Sequence, residues 1–243
     1  MSDAAGPLRS SQAFHAPAAG PSPGHLVVIA QDGSPGISYP LSTPATEIGR
    51  TQGNVVLPND PYISPLHARI TYRNQRFWVE DLGSENGIYL RLTSEQELVA
   101  GDLVLVGLEV LRFEVVDPQE RTLTPAARQG AQIFGSPVCA RYARLTQQTM
   151  EAVTRDVYYL TREETIIGRE SGDIVFTGDP YMSRRHARIL RGSESGPFVL
   201  KDLGSSNGTY LRIRGETELS NRDYIRVGQH LFRLEVQTGG RSN

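Results

Sequence analysis

Cysteine is almost missing from this chain, since Cys139 is the only one among 243 residues. A single cysteine excludes an internal disulfide framework and a zinc site built from several thiolates. The five histidines, at positions 15, 25, 67, 186 and 230, include no His-x-x-x-His pair. The sequence therefore predicts no metal site and no cofactor, and it fits a reducing cytoplasm.

Long apolar runs are also missing. The longest candidates are short segments such as residues 26–30, far below the ~18 residues that a membrane-spanning helix needs. The first 24 residues are rich in Ala, Pro, Ser and Gly and lack the apolar core of a secretory signal peptide. We expect a disordered tail over residues 1–24, a cytoplasmic protein, and no insertion into a membrane.

The chain has little excess charge of either sign. Its formal net charge is -2 and its pI is near 6.2, which gives no general attraction to nucleic acid. Hydrophobic residues make up 38% and charged residues 21%, which is ordinary globular usage. We therefore expect folded domains, and no nucleic acid among the partners.

An internal repeat organises the chain. Its landmarks recur with an offset of 119 residues and then, after a two-residue insertion near residues 193–196, with an offset of 121. The recurring pairs are Gly49-Arg50 with Gly168-Arg169, Ser64 with Ser183, His67-Ala68 with His186-Ala187, Asp81-Leu82-Gly83-Ser84 with Asp202-Leu203-Gly204-Ser205, and Asn86-Gly87 with Asn207-Gly208. A match with one insertion over a whole domain indicates a duplicated fold.

The apolar residues of each copy come in short runs rich in β-branched and aromatic residues, for example 76–80, 102–106 and 110–115. Turn signals such as Asn-Gly and Gly-Asp separate them, a pattern typical of an antiparallel sandwich. The predicted fold is all-β, with two tandem sandwiches at residues 25–117 and 140–237. A flexible linker at 118–139 joins them, and residues 238–243 form a second tail.

The order Gly-Arg, then Ser-x-x-His, then Asn-Gly on short strands resembles the forkhead-associated (FHA) domain family. The resemblance covers both copies and is strongest in the second, where all three motifs match with almost no departure. It implies an eleven-stranded β-sandwich whose loops at one end bind phosphothreonine peptides.

The resemblance also implies roles for individual residues of the second copy. The phosphate would be contacted by Arg169, Ser183, Arg184 and Ser206, and Asn207 would bond the main chain of the peptide. His186, like His67 in the first copy, would brace the binding loops. A phosphothreonine carries about -1.5 to -2 charge and three acceptor oxygens, so this set of cations and donors suits it.

The first copy departs at the positions that would contact phosphate. Arg50, Ser64 and Asn86 are kept, but Pro65 replaces Arg184 and Glu85 replaces Ser206. Proline removes a cation and a backbone N–H, and the carboxylate would repel a phosphate. Residues 25–117 hold 6 basic and 12 acidic residues, against 15 and 13 in residues 140–237. We therefore expect the second copy to bind phosphate, and the first to be a degenerate site that serves as a protein-interaction surface.

Three alternatives follow from the same residues. An enzyme is disfavoured because Ser183 and His186 lack a Gly-x-Ser-x-Gly elbow. The preferred prediction is a phosphothreonine-binding adaptor in Ser/Thr kinase signalling. Its partners would be a phosphothreonine-containing protein and a kinase or its substrate. The main alternative is a phosphate-independent scaffold of a larger assembly. Thr122 and Thr124 in the linker could also be phosphorylated and captured by the second copy of the same chain.

Overall fold

The computed structural model describes residues 22–41, 45–121, 126–136, 139–151, 153–193 and 196–237. Over these residues the regular secondary structure is almost entirely β-strand, and the all-β prediction is confirmed. The predicted tails lie outside the described residues except for residues 22–24, of which Gly24 begins the first strand. Thr122 and Thr124 also lie outside them.

Each copy of the repeat contributes ten strands in the described residues, where the family resemblance implied eleven. The first copy forms β1 (Gly24–Ile29), β2 (Pro35–Pro40), β3 (Ala45–Gly49), β4 (Val55–Val56), β5 (Ala68–Arg73), β6 (Arg76–Asp81), β7 (Ile88–Arg91), β8 (Gln96–Leu98), β9 (Leu103–Val106) and β10 (Glu109–Val115). The runs predicted as strands at 76–80, 102–106 and 110–115 correspond to β6, β9 and β10.

The second copy repeats this order. It forms β13 (Ala143–Gln148), β14 (Thr154–Leu160), β15 (Glu164–Gly168), β16 (Ile174–Val175), β17 (Ala187–Arg191), β18 (Phe198–Asp202), β19 (Thr209–Arg212), β20 (Thr217–Leu219), β21 (Tyr224–Val227) and β22 (His230–Val236). The segment predicted as a flexible linker contains the short helix α1 (Pro118–Arg121) and a hairpin of β11 (Ala127–Arg128) and β12 (Ala131–Gln132).

The two sandwiches exchange their last three strands. In the first copy, β8 pairs with β18 of the second copy, placing Leu98 opposite Phe198, and β10 pairs with β13. In the second copy, β20 pairs with β6, placing Leu219 opposite Phe77, and β22 pairs with β1. Each sandwich therefore combines the first seven strands of one copy with the last three of the other.

One ten-stranded sheet runs through both sandwiches, in the order β14-β13-β10-β9-β19-β7-β21-β22-β1-β2. A five-stranded sheet covers each half: β4-β3-β5-β6-β20 in the first sandwich and β16-β15-β17-β18-β8 in the second. At the centre, β7 and β19 pair antiparallel with Leu90 opposite Leu211. These two leucines are equivalent in the repeat, so a pseudo-twofold axis passes between them.

Both hydrophobic cores draw on both copies. Phe232 of the second copy is fully buried in the first sandwich, in the same core as Phe77. Phe113 of the first copy is fully buried in the second sandwich, with its ring centroid 5.2 Å from that of Phe198. Burying one such side chain contributes about 1.5–3 kcal/mol, so neither sandwich keeps its core without the other copy.

The structure divides the chain differently from the boundaries expected from the repeat. The segments 25–117 and 140–237 are repeats in sequence, but neither contains a whole sandwich. The reason lies after β7 and β19, where residues 92–95 and 213–216 cross to the opposite sandwich instead of folding back. Arg214, in one crossing segment, forms an ion pair of 2.7 Å with the buried Asp102 of the first copy.

The exchange also removes the charge contrast between the copies. The first sandwich, residues 22–91 with 217–237, holds 8 basic and 9 acidic residues. The second, residues 96–117 with 140–212, holds 12 and 14. Both are close to neutral, because each copy lends its last strands to the other. Any preference for an anion must therefore come from the residues at each site.

Candidate functional site

The Asn207–Gly208 turn of the second copy is built around the carboxylate of Asp202. Its Oδ1 accepts hydrogen bonds from the backbone N–H groups of Gly204 and Ser205 at 2.8 and 2.9 Å. Its Oδ2 accepts from the hydroxyl groups of Ser205 and Thr209 at 2.6 and 2.7 Å. Burial raises the pKa of Asp202, but these hydrogen bonds outweigh it and hold the pKa below its usual value. Asp202 is thus a structural anion that satisfies turn donors.

His186 connects this turn to the loop that carries Ser183. The side chain is fully buried, its Nδ1 accepts from the N–H of Ser183 at 3.1 Å, and its Nε2 lies 3.0 Å from the carbonyl oxygen of Gly208. A carbonyl only accepts, so the proton of the neutral ring lies on Nε2. Burial lowers the pKa of His186, although the Gly208 bond and Asp202 oppose the shift. The neutral histidine thus ties the serine loop to the Asn-Gly turn.

Gly168 sets the position of Arg169 at the end of β15. A Cβ at Gly168 would lie 2.2 Å from the carbonyl oxygen of Arg184, so only glycine lets the two loops approach this closely. The N–H of Arg169 then donates to the carbonyl of Ser183 at 3.0 Å. The arginine and the serine loop are consequently held side by side.

Two guanidinium groups of the second site converge on one carboxylate. Arg169 Nη2 lies 3.1 Å from Oε1 of Glu170, and Arg184 Nε lies 3.0 Å from its Oε2. The side chains of Arg184 and Glu170 are 77% and 49% exposed, so the cluster opens to solvent. Sequence reasoning missed Glu170, although an acidic residue directly after the Gly-Arg pair was a usable signal.

The remaining predicted residues of the second site lie on the facing turn. The N–H of Ser206 donates to Oγ of Ser183 at 3.1 Å. Asn207 Nδ2 donates to the carbonyl oxygen of Tyr181 at 2.8 Å. The structure therefore brings the serine loop and the Asn-Gly turn into direct contact, with Arg169 held beside Ser183 through the backbone.

The first site has the same framework. His67 accepts from the N–H of Ser64 at 3.1 Å, and its Nε2 lies 3.1 Å from the carbonyl oxygen of Gly87. The N–H of Glu85 donates to Oγ of Ser64 at 3.2 Å, and Asn86 Nδ2 donates to the carbonyl oxygen of Tyr62 at 2.8 Å. Each of these bonds has its counterpart in the second site.

The side chains that point away from this framework differ. Pro65 and the exposed Glu85 stand where the second site has Arg184 and Ser206, and Thr51 stands in the place of Glu170. Arg50 is kept, and its Nε is buried without a hydrogen-bond partner among the described residues. The first site thus has one arginine and one added carboxylate where the second has two arginines that share a carboxylate.

Each site also uses residues of the opposite copy, which the repeat pattern could not reveal. The N–H of Leu108 donates to Oδ2 of the buried Asp179 at 2.7 Å, and the N–H of Gln229 donates to Asp60 in the same way at 2.7 Å. Both acidic residues belong to the Asp-Pro-Tyr turns that precede the site serines. The exchanged strands therefore support the binding loops directly.

The described residues contain no group of three or more His, Cys, Asp or Glu side chains arranged to hold a metal ion. Within the same ranges, none of the helical structure has the length and apolar character that crossing a bilayer requires.

The family model of the FHA domain matches residues 46–107 and 165–228, just over half of the chain. Both matched segments contain the Gly-Arg, Ser-x-x-His and Asn-Gly motifs whose geometry is described above. The chain belongs to the FHA domain family, and it carries two copies of the domain.

Several curated proteins are similar to this chain. The chain is 35% identical over 133 residues to the FHA domain-containing protein FhaB of Mycobacterium tuberculosis, covering 51% of this chain and 81% of that protein. It is 29% identical over 145 residues to the oxoglutarate dehydrogenase inhibitor of Corynebacterium diphtheriae, covering 59% and 96%. It is 35% identical over 88 residues to the glycogen accumulation regulator GarA of Mycolicibacterium smegmatis, covering 35% and 53%.

Parts of the chain are also similar to solved structures. The FHA domain of CT664 from Chlamydia trachomatis is 26% identical with a TM-score of 0.24, covering 39% of this chain and 97% of that one. The structure of Mycobacterium tuberculosis EmbR in complex with a low-affinity phosphopeptide is 28% identical with a TM-score of 0.20, covering 39% and 28%.

Proposed function

We propose that the chain is a non-catalytic cytoplasmic adaptor in Ser/Thr kinase signalling that binds phosphothreonine peptides through its second site. The first site serves as a surface for protein interaction. The partner would be a phosphothreonine-containing protein, either a kinase or its substrate.

The observation that carries this proposal is the pair of arginines on Glu170. Arg169 and Arg184 each place a guanidinium nitrogen within 3.1 Å of the same carboxylate. A phosphate carries more negative charge than a carboxylate and has a third terminal oxygen. It can therefore displace Glu170 and accept hydrogen bonds from both arginines, which are the preferred partners of phosphate groups.

The neighbouring polar groups have capacity left for a ligand. Ser183 Oγ accepts a hydrogen bond from Ser206, so its own hydroxyl hydrogen is available to a phosphate oxygen. Asn207 uses Nδ2 on the carbonyl of Tyr181, which leaves Oδ1 to accept from a peptide N–H. After the costs of association, such a set suits a micromolar dissociation constant, or about -8 kcal/mol.

The names of the curated relatives support a regulatory role. One is called an inhibitor of oxoglutarate dehydrogenase and another a regulator of glycogen accumulation. Neither name describes a catalyst, and both ring nitrogens of His186 in this chain are held by hydrogen bonds to the backbone. An adaptor that acts by binding is consistent with both observations.

A phosphate-independent scaffold remains the second candidate. Pro65 and Glu85 favour it for the first site, because they remove a cation and add a carboxylate. The strand exchange favours it for the whole chain, because it joins both sandwiches through one sheet. In that case the motifs would serve the framework alone.

Two substitutions in the full-length chain distinguish these candidates. Arg169→Ala with Arg184→Ala removes both cations but no core residue, and it should abolish capture of a phosphothreonine peptide while leaving the melting temperature nearly unchanged. The matched control, Arg50→Ala, should keep the binding. Capture of cellular partners that survives the double substitution, or phosphatase treatment of the partner, would favour the scaffold.

Capture of a linker phosphothreonine is a narrower form of the same proposal. Thr122 and Thr124 would compete with external peptides for the second site once they are phosphorylated. Mass spectrometry after kinase treatment, followed by peptide competition, would test it. An unphosphorylated linker, or external binding unchanged by linker phosphate, would refute self-capture and leave the adaptor proposal intact.

A further inference from the structure

The outer face of the central sheet carries a cluster of arginines and tyrosines from both copies. Register places their side chains on one face, since Arg91 lies opposite Tyr210, Arg212 opposite Tyr89, and Arg226 opposite Tyr89. Residues directly opposite one another in an antiparallel pair share a face. The cluster, here called the Arg–Tyr platform, comprises Tyr89, Arg91, Tyr210, Arg212, Tyr224 and Arg226.

Two arginines of the platform have no anionic partner. The guanidinium of Arg91 lies over the ring of Tyr224, 5.3 Å from its centroid, and Arg226 Nε donates to the carbonyl oxygen of Gly228 at 3.3 Å. In the described part of the chain, no carboxylate lies within 4.0 Å of either guanidinium. Arg212 is the exception, with Asp81 at 3.5 Å. The platform thus has positive charge that the protein itself does not neutralise.

The four central residues of the platform are related by the pseudo-twofold axis, but Tyr224 and Arg226 lie on one side of it only. The residues equivalent to Tyr224 and Arg226 in the first copy are Leu103 and Leu105, which pack in an apolar group with Tyr89 and Tyr210. The repeat alone would have given two matching halves. Tyr224 and Arg226 are therefore specific to one half of the sheet.

The platform adjoins the Asn-Gly turns of both sites. Arg212 Nε lies against Gly87 of the first site, where an added Cβ would come within 2.1 Å of it. The contact with the second site is equivalent. Arg91 Nε lies against Gly208, where an added Cβ would come within 2.2 Å of it. The hydroxyl of Tyr210 donates to the carbonyl oxygen of Asn207 at 3.0 Å. From β19 to β21 the platform is about 10 Å wide, a distance that about three residues of extended peptide cover.

We propose that the Arg–Tyr platform binds acidic side chains of the same protein whose phosphothreonine occupies the second site. This inference rests on the proposed function and adds the substrate class, a phosphothreonine with acidic residues close by in sequence. Arginines stacked on aromatic rings bind carboxylates and phosphates while the ring holds the guanidinium in place. The chain's net charge of -2 gives no general attraction to nucleic acid, which favours an acidic protein segment as the occupant.

Three synthetic phosphothreonine peptides test the inference with the full-length chain. One has neutral flanking residues, and the other two carry a pair of aspartates within five positions on the amino or the carboxyl side. We expect one acidic peptide to bind about three- to tenfold more tightly than the neutral peptide at low salt. The advantage should shrink as the salt concentration rises, because the platform is partly exposed.

Arg226→Gln is the informative variant, because Arg226 contacts none of the residues of the second site. It should reduce the acidic advantage, whereas the matched control Arg112→Gln, on the other half of the same face opposite Leu103, should preserve it. Three outcomes would each overturn the inference. The three peptides could bind with equal affinity, or the advantage of the acidic peptide could survive Arg226→Gln. The third outcome is tight binding of a single-stranded oligonucleotide that depends on Arg226. If the neutral phosphopeptide binds, the proposed function stands in all of these cases. If no phosphopeptide binds, both fail.

Discussion

The two FHA sites share a hydrogen-bonded framework and differ at the positions where we propose that a phosphate binds. The histidine, the serine and the asparagine make equivalent hydrogen bonds in both sites, from His67 to Gly87 and from His186 to Gly208 among others. The differences fall on the side chains of Pro65 and Glu85, which take no part in that network; the backbone N–H of Glu85 does. The comparison teaches that the motif residues hold the loops whether or not a phosphate binds. The motif therefore identifies the fold more securely than it identifies a working site.

The strand exchange also changes how the charges of the two copies are distributed. By sequence, the first copy is acidic and the second slightly basic, but both sandwiches are close to neutral once their last strands are exchanged. The contrast between the sites is therefore local. The substitutions below break or sharpen that contrast.

The largest effect is expected from the exchanged core residues. Phe232→Ala should destabilise the first sandwich by about 3–5 kcal/mol, because it empties a fully buried position. Hydrogen exchange should then rise first in β3, β5 and β6 of the first copy. Phe113→Ala should instead loosen β15, β17 and β18. A pattern in which each substitution loosens only its own copy would contradict the exchange.

The next effect comes from interchanging the ligand-facing residues of the two sites. Arg184→Pro with Ser206→Glu should weaken phosphothreonine binding by at least about a hundredfold, since two charge-assisted contacts of about 1.5–3 kcal/mol are lost. The reverse change, Pro65→Arg with Glu85→Ser, should give the first site measurable binding, seen as a second equivalent by calorimetry. Failure of both interchanges would mean that positions other than these four decide the difference.

A smaller effect is expected at Glu170, which occupies the two arginines in the free protein. Glu170→Gln should tighten phosphopeptide binding by about three- to tenfold, because the phosphate no longer displaces an ion pair. Glu163→Gln is the control, as it neutralises an exposed carboxylate elsewhere in the same sandwich. Unchanged or weaker binding by Glu170→Gln, measured beside this control, would show that Glu170 does not compete with the ligand.

The smallest effect concerns His186 and pH. Its pKa is lowered in the folded protein, chiefly by burial, so the unfolded chain binds more protons near and below the ordinary pKa of about 6.5. The contribution of His186 to the free energy of unfolding is therefore fully present above about pH 6.5 and declines as the pH falls below that value. Denaturant unfolding between pH 7.5 and 5 should show this decline, and His186→Gln should flatten it. An equal slope in both proteins would assign the pH dependence to other groups.

Much of the fold follows from local sequence. Short runs rich in β-branched residues, such as residues 165–167 in β15, and the glycine turns between the runs predict two copies of an all-β sandwich. The exchange could not be predicted, because β8–β10 fit either copy of a repeated partner equally well. The direction in which residues 92–95 and 213–216 leave β7 and β19 decides which sandwich contains the last three strands of each copy.

Only some residues around the candidate site could be identified from the sequence. Arg169, Ser183, Arg184, Ser206 and Asn207 follow from the motifs, and the structure gathers them on adjoining loops. Glu170 could have been noticed from its position beside Arg169. Arg91 and Leu108 could not, since they reach the second site from the first copy, through contacts with residues that are 119 and 71 positions away along the chain.

Calorimetric titration of the full-length chain with one phosphothreonine peptide tests the central claim most directly. The account predicts one peptide per chain, binding that requires the phosphate, loss of that binding in Arg169→Ala, and its retention in Arg50→Ala. Two equivalents per chain, or a loss of binding in Arg50→Ala with retention in Arg169→Ala, would contradict it.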